Sequence, residues 1–203
     1  MEFNFEKALQ HLSQDKGLKL LIDNISLPER NPSKDVYAGL IRSIVSQQLS
    51  VKAASTIHSR FLGLFEDGYP SAIDLLKLEF SQLRSVGLSG QKTNYVKNVA
   101  QFFIENELFE KDWTADADHE IITLLTQIKG VGKWTVQMIL MFVLSREDVF
   151  PVLDLGIQQG IKEVYELTEE KKELHAKMEE IAKPWKPYRS VACLYLWAAK
   201  DVK

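Results

Sequence analysis

Apolar residues recur at three- and four-residue spacing along almost the whole chain. Phe5, Leu9 and Leu12 keep that period, as do Tyr37, Leu40, Ile41, Ile44, Val45 and Gln48, the stripe of an amphipathic helix. Further runs of the same kind cover 51–65, 71–86, 92–103, 120–128, 133–144, 156–165, 169–182 and 188–200. No stretch shows the strict alternation, β-branched enrichment and hairpin turns of a sheet. The pattern therefore predicts an all-α fold of about ten helices.

Breakers divide the runs: Pro28 and Pro32 bracket a polar loop, Gly87 to Gly90 makes a second, Pro151 and Gly156 bound a third, and Pro184 and Pro187 a fourth. The last run is apolar on almost every side from Ser190 to Lys200, which predicts a buried helix near the carboxyl end. Nothing resembles a linker, a low-complexity tract or an internal repeat.

Composition changes the picture little. With 203 residues, 45% hydrophobic and 26% charged, the chain can bury a real core. A formal net charge of −3 counts mildly against a nucleic-acid partner, whose usual footprint is a basic domain. The start of the chain is acidic where a signal peptide is basic, and no run reaches the roughly 18 apolar residues of a membrane span. These features predict a soluble, intracellular protein with no membrane partner. The single cysteine, Cys193, excludes a disulfide framework or a thiolate cluster within the chain. It lies in an apolar run and reads as a small core residue. His11, His58, His119 and His175 stand apart without ligand spacing, so no catalytic metal is expected.

The most informative stretch runs from Ile121 to Met141. One amphipathic helix reaches Ile128, Gly130-Val131-Gly132 turns the chain, and a second helix begins near Lys133. Glycines permit positive φ and close backbone approach, and a helix start presents N–H groups. Such a terminus binds phosphate with little side-chain charge, which partly answers the acidic balance; Lys133 adds one cation. A glycine-bounded turn also serves simply to join two packed helices.

Its neighbours decide between these readings. Leu125-Thr-Gln-Ile-Lys-Gly-Val-Gly-Lys-Trp-Thr135, followed by Asp148-Val-Phe-Pro-Val-Leu-Asp-Leu-Gly-Ile-Gln158, resembles the signature of the helix-hairpin-helix DNA glycosylase superfamily. In that signature a hairpin precedes a Gly/Pro-rich loop and an essential aspartate by about twenty residues; Gly132 to Asp154 is 22 positions. The segments 40–51, 83–92 and 185–197 resemble the same family, so the likeness spans roughly Asp35 to Lys200. It is greatest for the 3-methyladenine DNA glycosylase II branch. The length leaves no room for the extra amino-terminal β-rich domain of some members.

The resemblance implies two packed lobes with the hairpin at their cleft: one lobe of about 35–145, with the hairpin at 121–144, and a second of about 1–34 plus 146–203. It implies base flipping in double-stranded DNA carrying a damaged base, then cleavage of the N-glycosidic bond, in base excision repair. Asp154 is then the catalytic carboxylate, because a fixed negative charge stabilises the positive sugar of the transition state or orients water. Asp is also a favoured helix N-cap, the alternative role at this position. Strand-cleaving members carry a Schiff-base lysine where this chain has Trp134, which offers no amine. Lys133 points about 100° away on a helix. The expectation is a monofunctional enzyme without lyase activity.

The resemblance places Trp134, Met138, Leu155 and Trp197 around the flipped base, where ring faces attract an N-alkylated, cationic purine. Gln48 is the expected wedge that fills the gap in the duplex. Lys92, Gly130, Val131, Gly132, Lys133 and Thr135 are the expected DNA contacts. No cofactor is required, although the family's hairpin often holds Na+ or K+ through carbonyls that correspond to Thr126, Ile128 and Val131. A monomer is expected, cytoplasmic with the DNA or nuclear in a eukaryote. Two alternatives stay open: a non-catalytic hairpin module that binds DNA, and a glycosylase for a neutral damaged base. The iron–sulfur branches need four cysteines and are excluded.

Overall fold

The structure, a computed structural model, describes residues 4–28 and 33–201, Lys200 and Asp201 by their backbone alone. Among the described residues all regular structure is helical: twelve α-helices and two short 3-10 turns, with no strand. The all-α expectation therefore holds. The Pro28–Pro32 loop lies mostly outside the described residues.

The chain divides into two compact units, Met1–Pro32 with Leu140–Lys203, and Ser33–Ile139. The middle unit contains α3 (Val36–Ser46), α4 (Val51–Leu62), α5 (Ala72–Lys77), α6 (Phe80–Ser85), α7 (Gly90–Glu105), a 3-10 turn at Leu108–Glu110, α8 (Asp118–Leu125) and the start of α9 (Lys133–Phe142). Helix α7 is its axis, packed by α3, α5 and α6. Leu40, Ile41, Ile44 and Val45 of α3 meet this core together with Val96, Val99, Ala100 and Phe103 of α7, all but fully buried. Tyr37, Phe103 and Phe109 form a mutually tilted aromatic cluster with ring centroids 5.2–5.5 Å apart, a geometry that suits the ring quadrupoles.

The 71–86 run is two helices rather than one. Leu78 is extended and Glu79 caps α6, with the Glu79 amide donating to Gln82 Oε1 at 2.7 Å. Apolar periodicity carries across the break because both short helices pack on the same axis helix. The carboxyl end of α5 is closed by Lys97 of α7, whose Nζ donates to the carbonyls of Leu76 and Leu78 at 3.3 and 2.6 Å.

The terminal unit is built on α12 (Arg189–Asp201), which packs against α1 (Phe5–Leu12), α2 (Lys16–Asn24) and α10 (Leu155–Val164); α11 (Lys171–Ala182) and a 3-10 turn at Lys183–Trp185 complete it. Val191 to Leu196 are buried, as the apolar run predicts. Helix α2 has no counterpart among the predicted runs, since Leu18 is its only buried residue. Asp15 makes it: Oδ1 accepts from the amides of Gly17 and Leu18 and from the Tyr165 hydroxyl, and Oδ2 from Trp185 Nε1 at 3.1 Å.

Burial pushes the hydroxyls of Tyr37, Tyr69 and Tyr165 well above the ordinary tyrosine range. The Asp35 and Asp15 carboxylates that accept from Tyr69 and Tyr165 add to the shift. The folded chain then holds protons that the unfolded chain releases near pH ~10. The stability these hydroxyls contribute is fully present below that pH and is lost as pH rises above it. The midpoint of urea unfolding should be lower at pH 11 than at pH 8; an unchanged midpoint would sink this account.

Candidate active site and nucleic-acid interface

In the terminal unit the 146–154 loop is fixed to the amino end of α12 before it reaches Asp154. Arg189 donates from Nε and Nη2 to the Asp148 carboxylate at 2.5 and 2.9 Å, and from Nη2 to the Asp148 carbonyl at 3.0 Å. The Ser190 hydroxyl donates to the Arg146 carbonyl at 2.6 Å and accepts from the Val149 amide at 2.9 Å. Further along, Gln158 Nε2 donates to the Val152 carbonyl at 3.0 Å. The loop is thus held at one end by side chains of α12 and at the other by Gln158 of α10.

Asp154 sits where this loop becomes α10. Its Oδ1 accepts from the Ile157 amide at 2.9 Å, so it does cap the helix. The same oxygen accepts from Trp197 Nε1 at 2.8 Å. Capping and a second hydrogen bond therefore converge on one carboxylate oxygen, and the helix amino end adds favourable partial charge. Gly156 makes this possible: a Cβ there would lie 2.8 Å from Trp197 Cδ1 and 3.1 Å from Asp154 Oδ1. Phe142 stacks on the other part of the assembly, 5.7 Å from the Trp197 ring at 29°.

Trp197 is therefore tied to the carboxylate by its N–H, a link that spacing alone does not reveal because 43 residues separate the two. Leu155, expected against the base, is 78% exposed beside Asp154, and Leu153 on its other side is 59% exposed. Cys193 is fully buried; burial, and then the Asp154 charge, push its thiol up, so it is inert. Replacing Trp197 with Phe removes the donor and keeps a ring for Phe142. A hydrogen bond to a charged acceptor is worth about 1.5 kcal/mol or more, so turnover should fall about tenfold. A variant with unchanged kcat and pH profile would show that the indole does not orient Asp154.

The hairpin belongs to the middle unit. Helix α8 buries Ile121 and Leu125, and Ile128 and Val131 continue that face into the turn. Gly130 has φ +104°, and a Cβ on it would fall 2.2 Å from Tyr95 Cγ. Asn98 Nδ2 donates to the Lys129 carbonyl at 3.0 Å, so α7 holds the turn at two adjacent points. A Cβ on Gly132, by contrast, would meet nothing within 4 Å. Gly132 and Lys133 are exposed at the start of α9, a backbone geometry open to a phosphate. Val131 is 5% exposed and serves the core.

Two expected DNA contacts are placed differently. Thr135 is 3% exposed, and its hydroxyl accepts from Gln47 Nε2 at 3.4 Å, so its side chain faces inward. Lys92, expected at a phosphate, turns to the protein instead: Nζ donates to the carbonyls of Val45 and Gln47 at 2.8 and 2.7 Å. The orphan carbonyls at the end of α3 attract this cation more strongly than spacing suggests.

Gln48 is exposed at φ 58° in the α3–α4 turn, followed by Leu49 at 37% exposure and by Ser50, which caps α4 through Ala53 N. Gln48 and Leu49 line an open cavity of about 530 Å³ together with Ser43, Ser46, Gln47 and Trp134. Leu49 is the residue that reading by spacing passes over; an apolar side chain exposed on a turn between two helices is its signal. Trp134 is 38% exposed, and Met138, one turn further along α9, is half-buried. Among the described residues no cluster of His, Cys, Asp or Glu could hold a metal ion, and no helix is long and apolar enough to cross a membrane.

The model of the HhH-GPD superfamily of base excision DNA repair proteins matches residues 41–187. DNA-3-methyladenine glycosylase 1 of Schizosaccharomyces pombe is 35% identical over 198 residues, 94% of this chain and 86% of that one. A putative DNA-3-methyladenine glycosylase of Bacillus subtilis is 35% identical over 204 residues, 96% of this chain and 70% of its own length. The solved 3-methyladenine DNA glycosylase of S. pombe in complex with abasic DNA superposes with a TM-score of 0.85 at 34% identity, covering 96% of this chain and 97% of that one. The chain belongs to the HhH-GPD superfamily of base excision DNA repair proteins.

Proposed function

We propose that this protein is a monofunctional DNA glycosylase that removes alkylated purines, 3-methyladenine among them, from double-stranded DNA. The observation that carries the reading is Asp154, whose Oδ1 is fixed by the Ile157 amide and the Trp197 indole. A carboxylate held in this way needs no reorganisation as positive charge builds on the sugar, which is where electrostatic catalysis is largest. Water then takes the sugar carbon, and the cationic base leaves without a general acid. Relatives named DNA-3-methyladenine glycosylases, and one solved with abasic DNA, support the substrate class.

The roles divide between the units. Asp154 with Trp197 and Leu155 serves the chemistry. The hairpin, through Gly130 to Lys133, holds the backbone of the DNA, and Trp134 and Met138 offer apolar surface to the base. Gln48, with Leu49 beside it, fills the space that an extruded nucleotide leaves. Trp134 in place of an amine predicts an abasic product and an intact strand. The test is release of free methylated bases from dimethyl sulfate-treated duplex, with strand breaks scored before and after alkali. Base release with breaks appearing only after alkali supports the reading; breaks without alkali would establish lyase activity.

The carbonyls of Thr126, Ile128 and Val131 would hold Na+ or K+. They are neutral oxygens at the carboxyl end of α8, where the helix dipole favours a cation, and the Val131 amide bonded to the Ile128 carbonyl at 3.0 Å folds them into one turn. The ion would support the hairpin and take no part in the bond cleavage. The protein acts as a monomer in the compartment that holds the DNA, cytoplasm or nucleus.

A further inference from the structure

The turn between α3 and α4 is costly to hold at the surface. Gln48 is in the left-handed region at φ 58°, which costs a non-glycine residue about 1 kcal/mol. Leu49 and Val51 beside it are 37% and 89% exposed, so burial of these side chains offsets little of that cost. The carboxyl end of α3 also leaves carbonyls that its own helix cannot satisfy. One side chain from another helix meets both needs. Lys92 Nζ bridges the Val45 carbonyl, inside the last turn of α3, and the Gln47 carbonyl, one residue before Gln48. A second tie comes from Gln47 Nε2 to the Thr135 hydroxyl on α9.

We propose that Lys92 is a positioning residue for duplex opening: its ammonium locks the Gln47–Leu49 turn in the form that enters the DNA beside the extruded nucleotide. The inference rests on the reading of that turn as the wedge. Lys92 acts without touching DNA, by removing the freedom of a loop that would otherwise have to be ordered at the moment of flipping. Its two acceptors lie on either side of Ser46, where α3 ends, and the second immediately precedes the left-handed Gln48. Lys97 provides an internal comparison, since it closes the end of α5 with the same chemistry and serves no wedge.

Positioning of a wedge matters most where a base must be pulled from a pair. The test uses the whole protein and whichever N-methylpurine it releases from dimethyl sulfate-treated DNA. That base is placed once in a duplex, opposite either its ordinary partner or a tetrahydrofuran abasic residue. Lys92→Met should lower kcat/KM about tenfold or more on the paired lesion and no more than about threefold on the unpaired one. Lys92→Arg, which keeps a cation, should recover part of the paired rate. Lys97→Met should affect the two substrates equally, by way of stability alone. If Lys92→Met does not fold, the ratio of paired to unpaired rates of Lys92→Arg decides, and an unchanged ratio overturns the proposal.

Equal losses of Lys92→Met on both substrates, or no loss on either, would also overturn it. Failure of the underlying reading looks different. If Gln48→Ala and Leu49→Ala leave both rates at the native level, the turn is not the wedge and Lys92 has nothing to position. If the native protein releases no methylpurine at all, the glycosylase reading falls and the proposal with it.

Discussion

Asp154→Asn should slow base release about a thousandfold while the protein stays folded and still binds duplex DNA. The amide keeps an oxygen where Oδ1 accepts from the Ile157 amide at 2.9 Å and Trp197 Nε1 at 2.8 Å. Asn is also as good an N-cap as Asp. What disappears is the negative charge. Removing one preorganised electrostatic contact to a developing charge costs about 10²–10³ in kcat. Here the whole charge is lost, so the fall should lie at the upper end of that range. Asp154→Ala separates structure from chemistry. It loses the cap, worth about 1 kcal/mol, and leaves the half-buried indole N–H of Trp197 without this acceptor, at about 1–3 kcal/mol. Thermal unfolding should therefore place Asn near the native protein and Ala several degrees below. Measured base release by Asp154→Asn close to the native rate would sink the catalytic assignment of Asp154, whereas no base release by the native protein, with full duplex binding, would favour the non-catalytic hairpin module.

The parts of this molecule that were legible in its sequence are those that repeat or punctuate. Helical periodicity identified α3, α7 and α12, because each presents a long apolar face to a core. Glycine and the aspartate after it marked the hairpin and the capped helix. The illegible parts are cross-chain hydrogen bonds. Periodicity carries no trace of the bond from Trp197 Nε1 to Asp154, so the indole reads as a ring for the base and only the structure shows it holding the carboxylate. The same holds for Lys92, since a lysine at the start of a helix looks solvated until the carbonyls of Val45 and Gln47 are seen beside it. Helix α2 escaped for the opposite reason: a single buried leucine makes no stripe, and a distant carboxylate network builds the helix instead. Capping was the middle case. Asp154 is both a helix cap and the candidate catalyst, and the two roles are compatible because both donors converge on Oδ1. A fixed carboxylate at a helix start is what a preorganised electrostatic catalyst requires, so capping counts for the enzyme here rather than against it.

Gly130→Ala should unfold the hairpin more effectively than any change at an exposed DNA contact. The residue is at φ +104°, which an L-alanine adopts at a cost of about 1–2 kcal/mol. The added Cβ would also fall 2.2 Å from Tyr95 Cγ and 2.5 Å from Cδ1, so the ring or the turn must move. Overpacking of that kind adds about 1–3 kcal/mol. Together these should lower Tm by about 10 °C in a chain of this size. Gly132→Ala gives the contrast within the same turn. Its Cβ meets nothing within 4 Å, so Tm should hold to within about 2 °C, while duplex affinity falls because the methyl occupies space a phosphate would approach. Adding Tyr95→Ala to Gly130→Ala should cost less than the sum of the two single changes, by an interaction energy of about 1 kcal/mol in the double-mutant cycle. Additive losses would show that backbone strain alone governs Gly130. A Gly130→Ala protein with native Tm and native base release would mean that the turn is not held against α7 as described. The two glycines thus separate what the hairpin needs in order to exist from what it offers to DNA.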